Sequence, residues 1–138
     1  ARYPLFESFD MPDTHESCSR RQQTLSVTQS LALLNDEMVL EWAQAMAGRL
    51  LNDAGLSPDA QIQRAFRLAF GRAPGSNEMS IARKFLDRQA TLLSARFTSG
   101  ETPLLPKNLP ERADRARAAA LVDLCHVLLN SNEFLYLD

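Results

Sequence analysis

The chain has 138 residues, 45% hydrophobic and 23% charged, with 15 basic and 17 acidic side chains and a net charge of −2. A domain of this size buries roughly 68–70% of the surface its unfolded chain exposes, so a core can form without a metal or disulfide framework. The figures argue against a collagen, a coiled-coil rod or a disordered tail, the acidic balance argues against nucleic acid as a partner, and no apolar run reaches the ~20 residues that membrane insertion needs.

Residues 1–25 read as an extended or irregular arm. Pro4 and Pro12 interrupt it, and Asp10, Asp13, Ser17 and Ser19 are turn formers. Tyr3, Leu5, Phe6 and Phe9 are too apolar for a solvated tail, so the arm is expected to lie against the helices that follow. A helical core is expected over residues 26–138. Ser26-Val27-Thr28-Gln29 has the form of a capping box, with Leu31, Leu33 and Leu34 burying after it. Asn35-Asp36-Glu37 is a second start signal, followed at helical spacing by Met38, Trp42, Ala45, Met46 and Leu50. The pattern predicts a short helix over 27–34 bending sharply into a longer one over 36–51; a single kinked helix is the alternative.

Asn52-Asp53-Ala54-Gly55 closes that element, and Ser57-Pro58-Asp59 opens the next with a cap, a first-turn proline and an acid at the positive helix end. Ile62, Ala65, Phe66, Ala69 and Phe70 form its apolar stripe. Gly71 should end it in a left-handed conformation, with Pro74 preventing continuation. Ser76 is the expected cap of a further helix with Glu78 in its first turn. Its buried face would be Ile81, Ala82, Phe85, Leu86, Leu92, Leu93 and Phe97, with Arg83, Lys84 and Arg88 in water. Residues 98–110 hold Gly100, Pro103, Pro106 and Pro110 and read as a loop. A last helix is predicted from about Pro110 to Leu129, carrying Leu121, Leu124, Val127 and Leu128. Asn130-Ser131-Asn132 breaks it before a short apolar tail from Phe134 to Leu137. No run alternates with period two among β-branched residues. The expected fold is all-α: one domain, a bundle of four or five helices with an extended N-terminal arm.

Charge is uneven along the chain. Residues 1–57 carry 4 basic and 8 acidic side chains, residues 58–117 carry 11 and 6, and residues 118–138 add 3 acids. Such alternation suits solvated helix faces or local attraction of an acidic partner. The two cysteines, Cys18 and Cys125, are far apart and belong to no CxxC or CxxCH motif, which excludes a zinc ribbon or covalently bound haem within these residues. One long-range disulfide and two buried free thiols both fit this pair.

Few residues suggest chemistry. Asp10, Asp13, His15, Glu16 and Cys18 offer mixed donors to a divalent ion, but at no established metal-site spacing, and turn formation and capping explain the same residues. Cys125-His126 cannot be its own dyad, because adjacent helical residues point about 100° apart; Cys125 lies on the apolar stripe and reads as a core thiol. Asp36, Glu37 and Glu41 suit a helix first turn. Gly71-Arg72-Ala73-Pro74-Gly75 follows a helix rather than a strand and lacks phosphate-loop spacing. Arg20, Arg21, Arg64 and Arg67 could clamp a carboxylate or a sugar acid, or bond helix C-terminal carbonyls and the arm's acids. No catalytic, cofactor-binding or metal-binding residue is assigned.

Several segments together carry a resemblance. Phe9-Asp10 with Pro12-Asp13, then Cys18 and Arg20-Arg21, then Thr28-Gln29-Ser30-Leu31-Ala32-Leu33-Leu34-Asn35, resemble the C-terminal half of the PSD-type domain of unknown function found in planctomycete cytochrome-c-associated proteins. Arg67-Leu68-Ala69-Phe70-Gly71-Arg72-Ala73-Pro74 is similar to that family's helix and Gly-Arg-x-Pro turn, and Asp123 through Tyr136 to its closing segment. The likeness spans nearly the whole chain and is weak over about 86–118. The chain departs from the family in having Val27 before Thr28-Gln29, where a proline is common, and Glu37 after the bend. The resemblance implies a large exported, periplasmic or cell-envelope protein of several domains, with any c-type haem outside these residues and no established activity. The opening Ala1-Arg2-Tyr3-Pro4, without an initiator Met, fits a C-terminal fragment of such a protein. Expected partners are upstream domains of the same polypeptide, other cell-envelope proteins or carbohydrate. The function expected is a non-catalytic helical interaction or scaffolding module; the alternative is part of an enzyme acting on polysaccharide or in haem-linked redox, with the arm supplying ligands.

Overall fold

The computed structural model describes residues 26–55 and 57–131, with side chains from Glu37 onward. The fold is all-α, with four helices among these residues: α1 (Ser26–Ala54), α2 (Pro58–Phe70), α3 (Ser76–Thr98) and α4 (Arg115–Leu129). Helix α4 lies between α1 and α3 and packs on both, while α2 touches all three others. Residues 118–122 of α4 are buried without a break, as are Leu124, Cys125, Leu128 and Leu129. A helix that buries apolar side chains around most of its circumference belongs at the centre of a bundle.

Helix α2 forms as the local sequence dictates. Ser57 accepts a hydrogen bond from the Ala60 N–H, Pro58 fills the first turn where no N–H partner is needed, and Asp59 faces the positive end. Gly71 ends the helix at φ 73°, its N–H returning to the Arg67 carbonyl at 2.9 Å. All five residues of the predicted stripe are buried.

Helix α1 differs from expectation in two ways. It is one continuous helix of 29 residues, not a short helix bending into a longer one. The Asn35-Asp36-Glu37 signal does not break it, because Asn35 and Asp36 only lower helix propensity, Glu37 is a good helix former, and all three, unlike proline, leave the backbone N–H in place. Its buried face is also rotated from the predicted one. Val39, Ala43, Ala47, Leu50 and Leu51 enter the core, Met46 packs at its edge, and Met38 (45% exposed), Trp42 (46%) and Ala45 do not. The predicted burial of Leu31, Leu33 and Leu34 lies outside the described side chains, and the apolar tail outside the described residues.

Two further boundaries move. Helix α3 is capped by Gly75, not Ser76: Glu78 turns back to accept the Gly75 N–H at 2.8 Å, one half of a capping box. Helix α4 begins at Arg115, five residues later than predicted. Pro110 instead starts a turn in which the Ala113 N–H bonds to its carbonyl, and Asp114 is the cap, accepting from the Arg117 N–H at 2.9 Å. On α3, Ala82, Phe85, Leu86 and Leu93 are buried, Ile81 and Phe97 are half-buried against the core, and Arg83, Lys84 and Arg88 face water. Leu92 is 54% exposed, a correction to the predicted face: at ~100° per residue it falls beyond the stripe centred on Ala82, Leu86 and Leu93. No described helix is long and apolar enough to cross a membrane.

Candidate interaction surface

The arm residues considered as ligands (Asp10, Asp13, His15, Glu16 and Cys18) and Arg20-Arg21 lie outside the described residues. Among those described, no group of three His, Cys, Asp or Glu side chains is placed to hold a metal ion. Cys125 is a free thiol with no exposed surface, and burial pushes its pKa far up. A thiol that resists ionisation is a poor nucleophile, so the expected core role holds.

The Gly-Arg-Ala-Pro-Gly turn is a structural lock. Arg72 reaches across it to grip Glu78 with two hydrogen bonds of 2.8 and 2.9 Å, and donates a third to the Ala73 carbonyl at 3.0 Å. Its guanidinium also lies 5.7 and 5.5 Å from the ring centres of Phe66 and Phe70, within cation–π range. Glu78 is 7% exposed, and its carboxyl is held below the usual range chiefly by the Arg72 hydrogen bonds, against the opposing effect of burial. One carboxylate thus ties the end of α2 to the start of α3. A parallel tie at the far end of α2 is Arg83 to Asp59, at 2.8 and 2.9 Å. It is solvent-exposed and contributes little. Arg64 pairs with Asp53 at 3.4 Å, and Arg67 is exposed.

An open groove of roughly 630 Å³ runs between α3 and the start of α4, lined by Asp87, Thr91, Ser94, Thr98, Asp114 and Arg117 among others. Five of these six polar side chains are engaged in the fold. Arg117 pairs with Asp87 at 3.1 Å, Asp114 caps α4, and the Thr91 and Thr98 hydroxyls donate to carbonyls of their own helix. Deeper along the same interface, Asp123 accepts a hydrogen bond from Gln89 at 2.9 Å. Burial raises its pKa above the usual carboxylate range; the Gln89 bond and the nearby charges of His126 and Arg96 oppose that rise.

Helix α1 has the most distinctive surface, with three differently used faces. The first is the core face. On the second, Gln44, Gly48 and Asn52, one turn apart, receive the loop of residues 99–114. Gln44 donates to the Leu105 carbonyl at 2.9 Å, the Lys107 N–H bonds to the Gln44 carbonyl at 3.1 Å, and Asn52 donates to the Asn108 carbonyl at 3.2 Å. Gly48 permits this contact: a Cβ built there would collide with the Lys107 carbonyl oxygen and stand 3.0 Å from its carbon. Asn108 takes φ 56° to complete the approach. Sequence reasoning missed this clasp, since one glycine within a helical pattern does not reveal what approaches it.

The third face is the outer stripe. Met38 and Trp42, one turn apart, lie on it with Ala45 beside them, turned about 130° from the core face at ~100° per residue. Glu37 and Glu41 border it, exposed and without a cationic partner among the described residues. The predicted apolar stripe is therefore split: Met38, Trp42 and Ala45 face outward, while Leu50 is in the core and Met46 packs at its edge.

In comparison with protein families, the profile of PSD1, a protein of unknown function (DUF1553), matches residues 1–86. That span includes the arm, α1, α2 and the Arg72–Glu78 lock, and stops short of the closing segment. No curated protein and no solved structure gives a significant match.

Proposed function

The chain belongs to the PSD1 family of proteins of unknown function, and on that premise we propose that it is a non-catalytic helical interaction module whose docking surface is the outer stripe of α1. The observation that carries this reading is the exposure of Trp42 and Met38 side by side on a helix that already has a complete core face. Tryptophan and methionine are enriched where proteins meet, and a buried tryptophan commonly dominates such contacts. The partner in this reading is polypeptide preceding α1, within a larger exported protein, as the resemblance of residues 9–35 and 67–74 implies. The scaffold suits the role, since the turn lock and the loop clasp fix the stripe on a rigid helix.

The test places a photo-crosslinking side chain at Trp42 in the intact polypeptide. Capture of polypeptide preceding residue 26 is the expected result. Absence of any crosslink to that polypeptide refutes the reading.

A further inference from the structure

We infer that the outer stripe of α1 is self-complementary, and that the same stripe of a second copy of this chain seats on it antiparallel. The inference rests on the proposed docking role of the stripe and goes beyond it: when the preceding polypeptide leaves this face, two copies pair through it, and each occupant excludes the other.

The stripe has a direction. Met38, Trp42, Ala45 and Arg49 follow one another at spacings of four, three and four residues, so they share one side of α1. All four are exposed, Trp42 at 46% and the Arg49 side chain at 61%. Glu37 and Glu41 border the early half. Along the same edge, the later half carries the clasped loop, whose Lys107 is exposed and has its backbone against Gly48. Arg49 and Arg64 share one carboxylate, that of Asp53, at 3.6 and 3.4 Å. The stripe is thus anionic at one end, apolar in the middle and cationic at the other end.

Such a pattern matches itself when reversed. A two-fold axis between residues 43 and 44 sets Trp42 of one copy level with Ala45 of the other, a large ring over a small side chain. Met38 comes level with Arg49, whose aliphatic stem can cover the thioether. Like edges meet in an antiparallel two-fold pair, so Glu37 and Glu41 of each copy face Arg49 and Lys107 of the other. Parallel pairing would instead set Trp42 on Trp42 and Arg49 on Arg49. The opposite charges fix the direction of pairing more than they strengthen it. The contact is one helix stripe wide, smaller than a permanent interface, so association is weak and depends on concentration. A partner tethered in the same polypeptide, with an effective concentration in the millimolar range, displaces it.

Sedimentation velocity on the full 138-residue chain, from low micromolar to near-millimolar concentration, tests the pairing. The expected result is a dimer that grows with concentration, in step with a blue shift in the emission of Trp42, the only tryptophan in the chain. Glu37→Arg/Glu41→Arg and Arg49→Glu/Lys107→Glu each set like charges opposite one another and should weaken association on the order of tenfold. Circular dichroism confirms that both variants keep their helices. An equal mixture of the two restores opposite charges at both ends and should recover the dimer. A parent chain that stays monomeric throughout overturns the inference, as does a dimer that neither variant weakens or that the mixture fails to recover. If the chain is monomeric while the crosslinker at position 42 captures polypeptide preceding residue 26, the pairing fails and the docking reading stands. If the chain pairs while that crosslinker captures only a second copy, the pairing stands and the preceding polypeptide loses its role. If neither contact forms, both fail.

Discussion

Gly48→Ala tests the clasp between α1 and the loop, because two effects of known size oppose each other there. At an ordinary exposed position inside a helix, replacing glycine with alanine stabilises by about 1 kcal/mol. At Gly48 the new Cβ meets the Lys107 carbonyl, a backbone group that cannot rotate away as a side chain would. The loop must retreat, and the bonds from Gln44 to Leu105, Lys107 to Gln44 and Asn52 to Asn108 then break or stretch. At about 0.5–1.5 kcal/mol each, those three bonds are worth roughly 1.5–4.5 kcal/mol. Leu105 and Leu109, which pack on the core from this loop, lose contact as well. After the propensity gain, the net is a destabilisation of about 2–3 kcal/mol, a fall in Tm on the order of 10 °C for a domain of this size. Urea and thermal unfolding followed at 222 nm measure it directly. Lys107→Ala, which leaves the backbone contact intact, should stay within about 0.5 kcal/mol of the parent. Adding Gln44→Ala to Gly48→Ala should cost little more, since the loop is already displaced. A Gly48→Ala chain as stable as the parent, or more so, refutes the reasoning.

The turn lock predicts an acid-sensitive contribution. The Glu78 carboxyl has a lowered pKa in the folded state, so its stabilisation is present above the unfolded carboxylate pKa and is lost as pH falls through the folded one. Glu78→Gln should destabilise by about 1–2 kcal/mol at neutral pH and flatten the acid limb of the stability–pH curve; an unchanged curve counts against the lock. Asp123 has the opposite sign, since its raised pKa makes its contribution fall as pH rises from the unfolded to the folded value. Asp123→Asn keeps an acceptor for Gln89 and should raise the unfolding midpoint at pH 7 but not below the unfolded carboxylate range, and a lower midpoint at pH 7 refutes it. In a Cys18→Ser background, Cys125 should resist a thiol-specific reagent until denaturant unfolds the chain; rapid labelling of the native protein would show that the centre of α4 opens locally.

Where local chemistry decides, the sequence was readable. Helix α2 has its cap, first-turn proline, apolar stripe and left-handed glycine within 15 residues, and each does in the structure what it does in isolation. Helix α1 was misread because two apolar stripes compete on it. Trp42 and Met38 dominate by size, yet the core takes Ala43 and Ala47, small side chains suited to close approach to the alanine-rich face of α4. Pattern alone cannot say which of two stripes meets a neighbour, since the neighbour is nearly 80 residues away in the chain. The role of Arg72 was equally hidden: a Gly-Arg-x-Pro turn states its conformation, but its guanidinium acquires a purpose only when α3 brings Glu78 back beneath it. The outer stripe of α1 was legible as residues and illegible as a surface.

The central position of α4 has a consequence for biogenesis. The strut that separates α1 from α3 is the last of the four helices to leave the ribosome. Until it emerges, α1 and α3 can close only on α2, and the rest of their inner sides must persist as a sticky, half-made shell. Such an order favours collapse in a single late step over growth helix by helix. It also makes nascent or truncated chains that lack residues 115–129 natural clients for chaperones and proteases.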